Sequence, residues 1–358
     1  MNDINSDLLE VIASFCINNP IDLHKFETTN KRFYNAIIGT CCIGPLRHNT
    51  TMEDLVHLIK KCPRITHLEL GKCKNFNYEW FLIIRKLYKL THLTISDDFN
   101  NTINIGDLSD TISYLKFGYN YNHVLLEGVL PDSLLELYFG NDYNQYIKNR
   151  VLPNTIKYIE FGCDFNQNID FDVLPSKLIH LEFGCNFNKP INHNILPKEL
   201  LYLIFGYYFN QKLSLGVLPS SIIHLDLGYK FNNMLLIGVL PFNLNKLILG
   251  GFYNYPIKKD VLPKKLKYLD IGFYFNHPIE QETFPSGLYE LNFGEQFNHT
   301  IEKNILPKDL KIIMFGRRYT RYIEKNYLPE GLLYLKLGIE GNKHIENKLL
   351  NSKLKISR

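Results

Sequence analysis

The chain has one tryptophan, four methionines and seven cysteines in 358 residues, against 24 phenylalanines and 23 tyrosines. Aromatic content that leans so far on two residue types points to a recurring slot rather than an irregular core. The cysteines (Cys16, Cys41, Cys42, Cys62, Cys73, Cys163 and Cys185) include no CxxC pair and no Cys/His cluster at zinc spacing. Their odd number, with an acidic and polar start in MNDINSDLLE, reads as reduced thiols in the cytoplasm, with the nucleus left open. No apolar run reaches the roughly 18 residues of a membrane span. The net charge of +4 comes from 40 basic and 36 acidic residues of interspersed sign, so nothing calls for nucleic acid or an anionic membrane. Walker A, dinucleotide glycine-fingerprint, HExxH and nucleophile-elbow sequences are all missing. The twelve histidines recur with no carboxylate partner that suggests general-base work. The expectation is a chain that is not an enzyme and carries no metal or cofactor.

What the sequence does have is a period. Pro131, Pro153, Pro175, Pro197, Pro219, Pro241, Pro263, Pro285, Pro307 and Pro329 fall 22 residues apart throughout. A spacing held this long means a stacked repeat array, and such arrays usually work by offering a surface to a partner. Counting each proline as zero, +3 and +6 are always aliphatic (Leu178 and Leu181, Leu200 and Leu203), and +8 is Phe, Leu or Ile. Glycine stands at +9 from Gly140 to Gly338. Alternation between +6 and +8 closed by glycine predicts a short strand ending in a turn, one per coil. An aromatic at +12, an aliphatic at +16 and an aliphatic pair before the next proline complete about six inward side chains. One coil cannot bury that face alone, so stacking is obligatory.

Asparagine at +13 gives Asn166, Asn188, Asn210, Asn232, Asn276 and Asn298. The turn after a strand leaves inward backbone groups that an amide can satisfy, so this row reads as a structural ladder rather than a ligand site. Offsets +5 and +7 flank the buried +6 and project from the opposite face. They place Tyr158, His180, Tyr202, His224 and Tyr268 beside Glu160, Glu182, Asp226 and Asp270. Tyrosine suits recognition, and a partner with basic and apolar groups would complement the strip. The same composition also suits an ordinary strand surface. Upstream the period lengthens: ITHLELG at 65–71 matches LTHLTIS at 90–96, a spacing of 25, with helices expected at 52–60 and 78–88.

The LxxLxFG strand motif followed by aromatic-Asn resembles the leucine-rich repeat in short form. The unit as a whole looks more like the FNIP repeat, as in FNKPI at 187–191 and FNHPI at 275–279. That resemblance covers about residues 96–346 and implies a family known from slime moulds and giant amoeba-infecting viruses. Residues 4–37 resemble an F-box: Leu8, Leu9, Ile12 and Phe15 lie on one helical face. Pro20 then interrupts, Leu23 and Phe26 follow Asp22, and the segment ends in Asn30-Lys31-Arg32-Phe33. Asn5 stands where that family usually has proline. This resemblance implies docking on the adaptor Skp1 in a cullin-RING ubiquitin ligase, with the repeats holding an unknown target protein. The alternative is a free-standing scaffold or decoy whose N-terminal helices only cap the first coil. The expected fold is therefore α+β. A helical F-box-like module at 1–40 leads to longer-period helix-strand units at 41–95. A solenoid of 22-residue repeats with one parallel strand per coil fills 96–346, and a basic tail occupies 347–358.

Overall fold

The computed structural model describes residues 41–43, 46, 51–61, 64–71, 77–338 and 354–357. The helical module expected at 1–40, with Leu8, Leu9, Ile12, Phe15, Leu23 and Phe26, lies outside the described residues. Two compact units divide the chain, Met1–Phe165 and Asn166–Arg358.

The described residues of the first unit begin with β1 (Cys41–Ile43), α1 (Met52–Lys61), β2 (Ile65–Glu69) and α2 (Tyr78–Ile84). Short strands follow: β3 (His92–Thr94), β4 (Tyr114–Lys116), β5 (Glu136–Tyr138) and β6 (Tyr158–Glu160). Each pairs in parallel with its predecessor. Helix α1 starts where Thr51 and Asp54 cap each other: the Thr51 N–H donates to Asp54 Oδ2 at 2.8 Å, and the Asp54 N–H to Thr51 Oγ1 at 3.2 Å. Helix α2 stops at Ile84, short of the expected residue 88. The N–H groups of Lys86 and Leu87 bond three residues back, to Ile83 and Ile84, and the tighter turns end the helix.

The second unit continues with β7 (His180–Glu182), β8 (Tyr202–Ile204), β9 (His224–Asp226), β10 (Lys246–Ile248) and β11 (Tyr268–Asp270). Then come β12 (Glu290–Asn292), β13 (Ile312–Met314), β14 (Tyr334–Lys336) and β15 (Lys355–Ser357). From β7 to β14 each residue pairs with the one 22 positions on, as in Leu181 with Leu203. The segment read as a basic tail thus contains a strand, with Leu335 opposite Ile356.

The coil from Pro175 to Leu196 shows why the repeat folds as it does. Three tight turns bend it: Leu178 N–H to Pro175 C=O, Phe187 N–H to Gly184 C=O, and Ile195 N–H to Asn192 C=O, at 3.0, 3.3 and 3.4 Å. Between them Leu178, Leu181, Phe183, Phe187, Ile191, Ile195 and Leu196 are all buried. Each contributes about 1.5–3 kcal/mol only once a neighbouring coil covers it. The third turn carries a feature that the periodicity did not flag: position +19 is left-handed. Asn194 has φ 62°, and Arg150, Asp172, Asp260, Glu282 and Asn304 share that conformation with Gly106, Gly128, Gly216 and Gly238. Glycine, asparagine and aspartate tolerate it, which explains a slot that looks random by hydropathy.

Glycine at +9 is required by space. A Cβ on Gly140 would stand 1.8 Å from the carbonyl oxygen of Gly118, and one on Gly206 would stand 1.7 Å from that of Gly184. Stacked coils approach so closely at this corner that no side chain fits.

Candidate interaction surface

The interior of the coils is filled by residues at +8 and +12, and in several coils both are aromatic. In the second unit Phe183 and Phe187 stack at 3.8 Å between centroids, Phe205 and Phe209 at 3.7 Å, and Phe187 on Phe209 at 6.2 Å. Of the tyrosines in the +12 slot, Tyr253 finds a backbone partner at Leu235, whereas three others do not. The OH groups of Tyr121, Tyr143 and Tyr319 are buried with no hydrogen-bond partner, and burial raises the pKa of all three.

The asparagine row runs along the outside of the stack, half-buried or exposed, rather than facing inward. Each amide oxygen accepts the backbone N–H of the equivalent residue in the next coil. Asn166 Oδ1 takes the Asn188 N–H at 3.0 Å, and Asn188 Oδ1 takes the Asn210 N–H at 2.9 Å. The series continues through Asn232, Asn254, Asn276 and Asn298 to Thr320. In the first unit Asn100 Oδ1 takes the Asn122 N–H and Asn122 Oδ1 the Asn144 N–H, both at 3.0 Å. Sequence reading missed the companion residue at +14. The Nε2 of Gln211 donates to both the backbone and side-chain oxygens of Asn188, and Nδ2 of Asn233 does so to Asn210. His277, His299 and Arg321 place a ring or guanidine nitrogen on the same backbone oxygen of the preceding coil.

Opposite the core, the strand face carries the polar and aromatic rows. Each strand from β3 to β14 buries its middle residue and leaves its ends half-buried or exposed. In the first unit His67 stacks on His92 at 3.9 Å, His92 lies 5.3 Å from Tyr114, and Tyr138 bridges Tyr114 and Tyr158 at 5.0 and 4.9 Å. Burial lowers the pKa of His67 and His92, so both rings are held toward the neutral form. Tyr158 donates its hydroxyl to Glu160 at 3.1 Å.

In the second unit His180 stacks with Tyr202 at 5.5 Å, and Tyr202 meets the edge of His224 at 5.9 Å. His180 Nε2 lies 3.7 Å from Glu182. Asp226 and Asp270 each accept the N–H of the glycine two residues on, Gly228 at 2.9 Å and Gly272 at 2.8 Å. Asn292 Nδ2 adds a bond to the second oxygen of Asp270 at 2.8 Å. Burial pushes the Asp226 carboxyl up, the Gly228 bond opposes this, and the like charges of Asp270 and Glu182 push the same way as burial. Beyond the carboxyl ends of β10–β14 lies a cleft of about 390 Å³, with Asp270, Asn292 and Met314 along it and Tyr229 and Phe273 beside it. Period alone does not reveal it. At its edge the Tyr229 ring packs directly on Gly251 at +10, where a Cβ would stand 2.2 Å from the ring.

Among the described residues no group of three His, Cys, Asp or Glu side chains is placed to hold a metal ion. None of their helices is long and apolar enough to cross a membrane. Cys185 is a free thiol. What the surface can do is bind: it presents rigid, half-exposed tyrosines and carboxylates at fixed intervals.

Comparison with known proteins agrees with this architecture. No curated protein matches the sequence. Among solved structures, CroV588, described as "a novel circular LRR protein structure", superposes with a TM-score of 0.70 at 34% identity over 82% of this chain. The chain spans about half of that protein's length, 50%. The functional domain of InlJ from Listeria monocytogenes, described as including a cysteine ladder, gives 0.55 at 14% identity, covering 83% of this chain and 62% of that one. The internalin InlF of the same organism gives 0.50 at 16% identity, covering 98% and 94%. At such identities these two show the fold alone. The FNIP Repeat model matches at residues 99–142, 143–186, 187–230, 231–274, 275–316 and 297–340. With its β-strands, glycine corners and asparagine ladder repeating every 22 residues, the chain belongs to the FNIP repeat family, with a leucine-rich-repeat-like fold.

Proposed function

We propose that the protein is a non-catalytic recognition subunit that holds a target protein on the strand face of its repeats. The observation that carries this is the pair of rows on that face: tyrosines and histidines beside carboxylates, at the ends of short strands whose middle residues are buried. Tyrosine offers large contact area at small entropic cost, and centrally placed tyrosines often dominate binding energy. Replacing Tyr202 and Tyr268 together by alanine removes side chains that are not in the core. The variant should therefore keep its thermal stability while losing target capture. Capture at the original level would end this reading.

The resemblance of residues 4–37 to an F-box supports a finer proposal. The N-terminal segment docks on a Skp1-like adaptor, and the repeats bring the target to a cullin-RING ubiquitin ligase in the cytoplasm, the host's if the chain is viral. Leu8, Leu9, Ile12, Phe15, Leu23 and Phe26 are the apolar residues that would share internal packing and adaptor contact. Co-purification with Skp1 that is lost on Leu8→Asp or Ile12→Asp is the expected result. A chain that never retains Skp1 is instead a free-standing scaffold or decoy.

A further inference from the structure

The residues that close successive strands of the second unit alternate in character: Glu182, Ile204, Asp226, Ile248, Asp270. Parallel pairing sets them directly opposite one another, Glu182 with Ile204, Ile204 with Asp226, Asp226 with Ile248, and Ile248 with Asp270. Adjacent strands lie about 4.8 Å apart, so a carboxylate recurs roughly every 9.6 Å, with an aliphatic side chain midway.

That interval discriminates among conformations of a chain laid across the strands. A polyproline II helix has three residues per turn and a rise of about 3.1 Å, so every third side chain returns to the same side after about 9.3 Å. Across two intervals it accumulates about 18.6 Å against about 19.2 Å for the row. Two turns of α-helix advance about 10.8 Å and drift by more than 2 Å over the same distance. An extended strand returns a side chain about every 6.8 Å, which misses the middle carboxylate.

The carboxylates are also held ready. Asp226 and Asp270 are fixed by the N–H groups of Gly228 and Gly272. Among the described residues, Asp226 accepts no bond at its other oxygen. Lys246 is the only lysine or arginine on strands β7–β11, and His180 and His224 are the other basic groups there. Ile204 and Ile248 are half-exposed, and Tyr202 and Tyr268 stand at the other ends of β8 and β11. Apolar pockets edged by tyrosine are what proline rings pack against. The row ends in the cleft beside Tyr229 and Phe273, where a cation above Asp270 would also meet aromatic faces.

We propose that this row is a docking track for a proline-rich, basic segment of a partner protein. The segment binds as a polyproline II helix with Lys or Arg at every third position, above Glu182, Asp226 and Asp270. This rests on the protein-recognition reading and names the chemistry of the partner. Burial is the main reason the Asp226 pKa is raised; Asp270 and Glu182 add to it and Lys246 opposes it, so a cationic partner would relieve the repulsive part.

The test uses the full chain and three fluorescent peptides with equal numbers of arginine: repeats of Arg-Pro, of Arg-Pro-Pro and of Arg-Pro-Pro-Pro. At one fixed low salt concentration, anisotropy should show the Arg-Pro-Pro peptide binding about tenfold tighter than either other. The Glu182→Gln/Asp226→Asn variant keeps side-chain oxygens that can accept the Gly228 bond and should lose that advantage with its thermal melting unchanged. Equal affinity for the three peptides, no binding, or full binding by the variant would each overturn the proposal. Should Tyr202→Ala/Tyr268→Ala still abolish target capture in that event, the strand face remains the recognition surface and only the register is wrong.

Discussion

A methyl group on Gly140 would sit 1.8 Å from the Gly118 carbonyl oxygen, far closer than the two atoms can approach without a clash. The backbone must separate there, and separating two coils breaks the strand pairing that starts four residues earlier. Gly140→Ala should therefore cost roughly 3 kcal/mol or more in chemical denaturation, the range of severe overpacking. The opposite outcome is expected at Tyr143. Its hydroxyl is buried without a partner, while the same slot in the next coil is Phe165. Tyr143→Phe removes an unmet desolvation cost and should raise stability by about 1 kcal/mol. Single residues were legible in the sequence wherever an absolute steric rule acts: glycine at +9 stood out because nothing else fits. The left-handed +19 position was not legible. Arg150 and Glu282 occupy it at some strain alongside glycine and asparagine, so no residue type marks the slot.

Between elements, the ladder outside the stack replaces strand pairing where the chain turns away from the sheet. Asn210 Oδ1 receives both the Asn232 N–H, at 2.9 Å, and the Asn233 side-chain amide, at 2.8 Å. Asn210→Ala strands both donors, though their exposure lets water substitute. The expected loss is about 1 kcal/mol by denaturant titration, and Asn210→Asp, which keeps the acceptor, should recover most of it. The row was visible in the sequence because the residue type recurs. Its outward placement and its +14 partners were not, because glutamine, asparagine, histidine and arginine do the same job there.

The stacked His67 and His92 add a pH dependence. Their folded pKa values lie below the unfolded value of 6.5, so the unfolded chain binds more protons as pH falls. Their contribution is fully present above that value and is lost as pH drops through it and then through the depressed folded values. His92→Gln should therefore flatten the fall in stability between neutral pH and pH 5 in melts across that range.

At the scale of the whole molecule, a 22-residue period dictates parallel strands that stack in register, and no other arrangement buries about six apolar side chains per coil. The proposed recognition depends on what does not repeat. The end residues of β7–β11 alternate between acid and isoleucine, and the Tyr229 ring packs on Gly251 at the edge of the cleft. Periodicity averages such departures away, so the sequence could place these side chains on the strand face while the cleft beside them stayed hidden. The most direct test is site-specific photocrosslinking in cells producing the full chain, with benzoylphenylalanine placed singly at Tyr202 and Tyr268 on the strand face and at Phe171 and Leu215 on the exposed turns. The account predicts the same target protein crosslinked from both strand-face positions and absent from both turn positions. Crosslinks confined to Phe171 and Leu215 would contradict it.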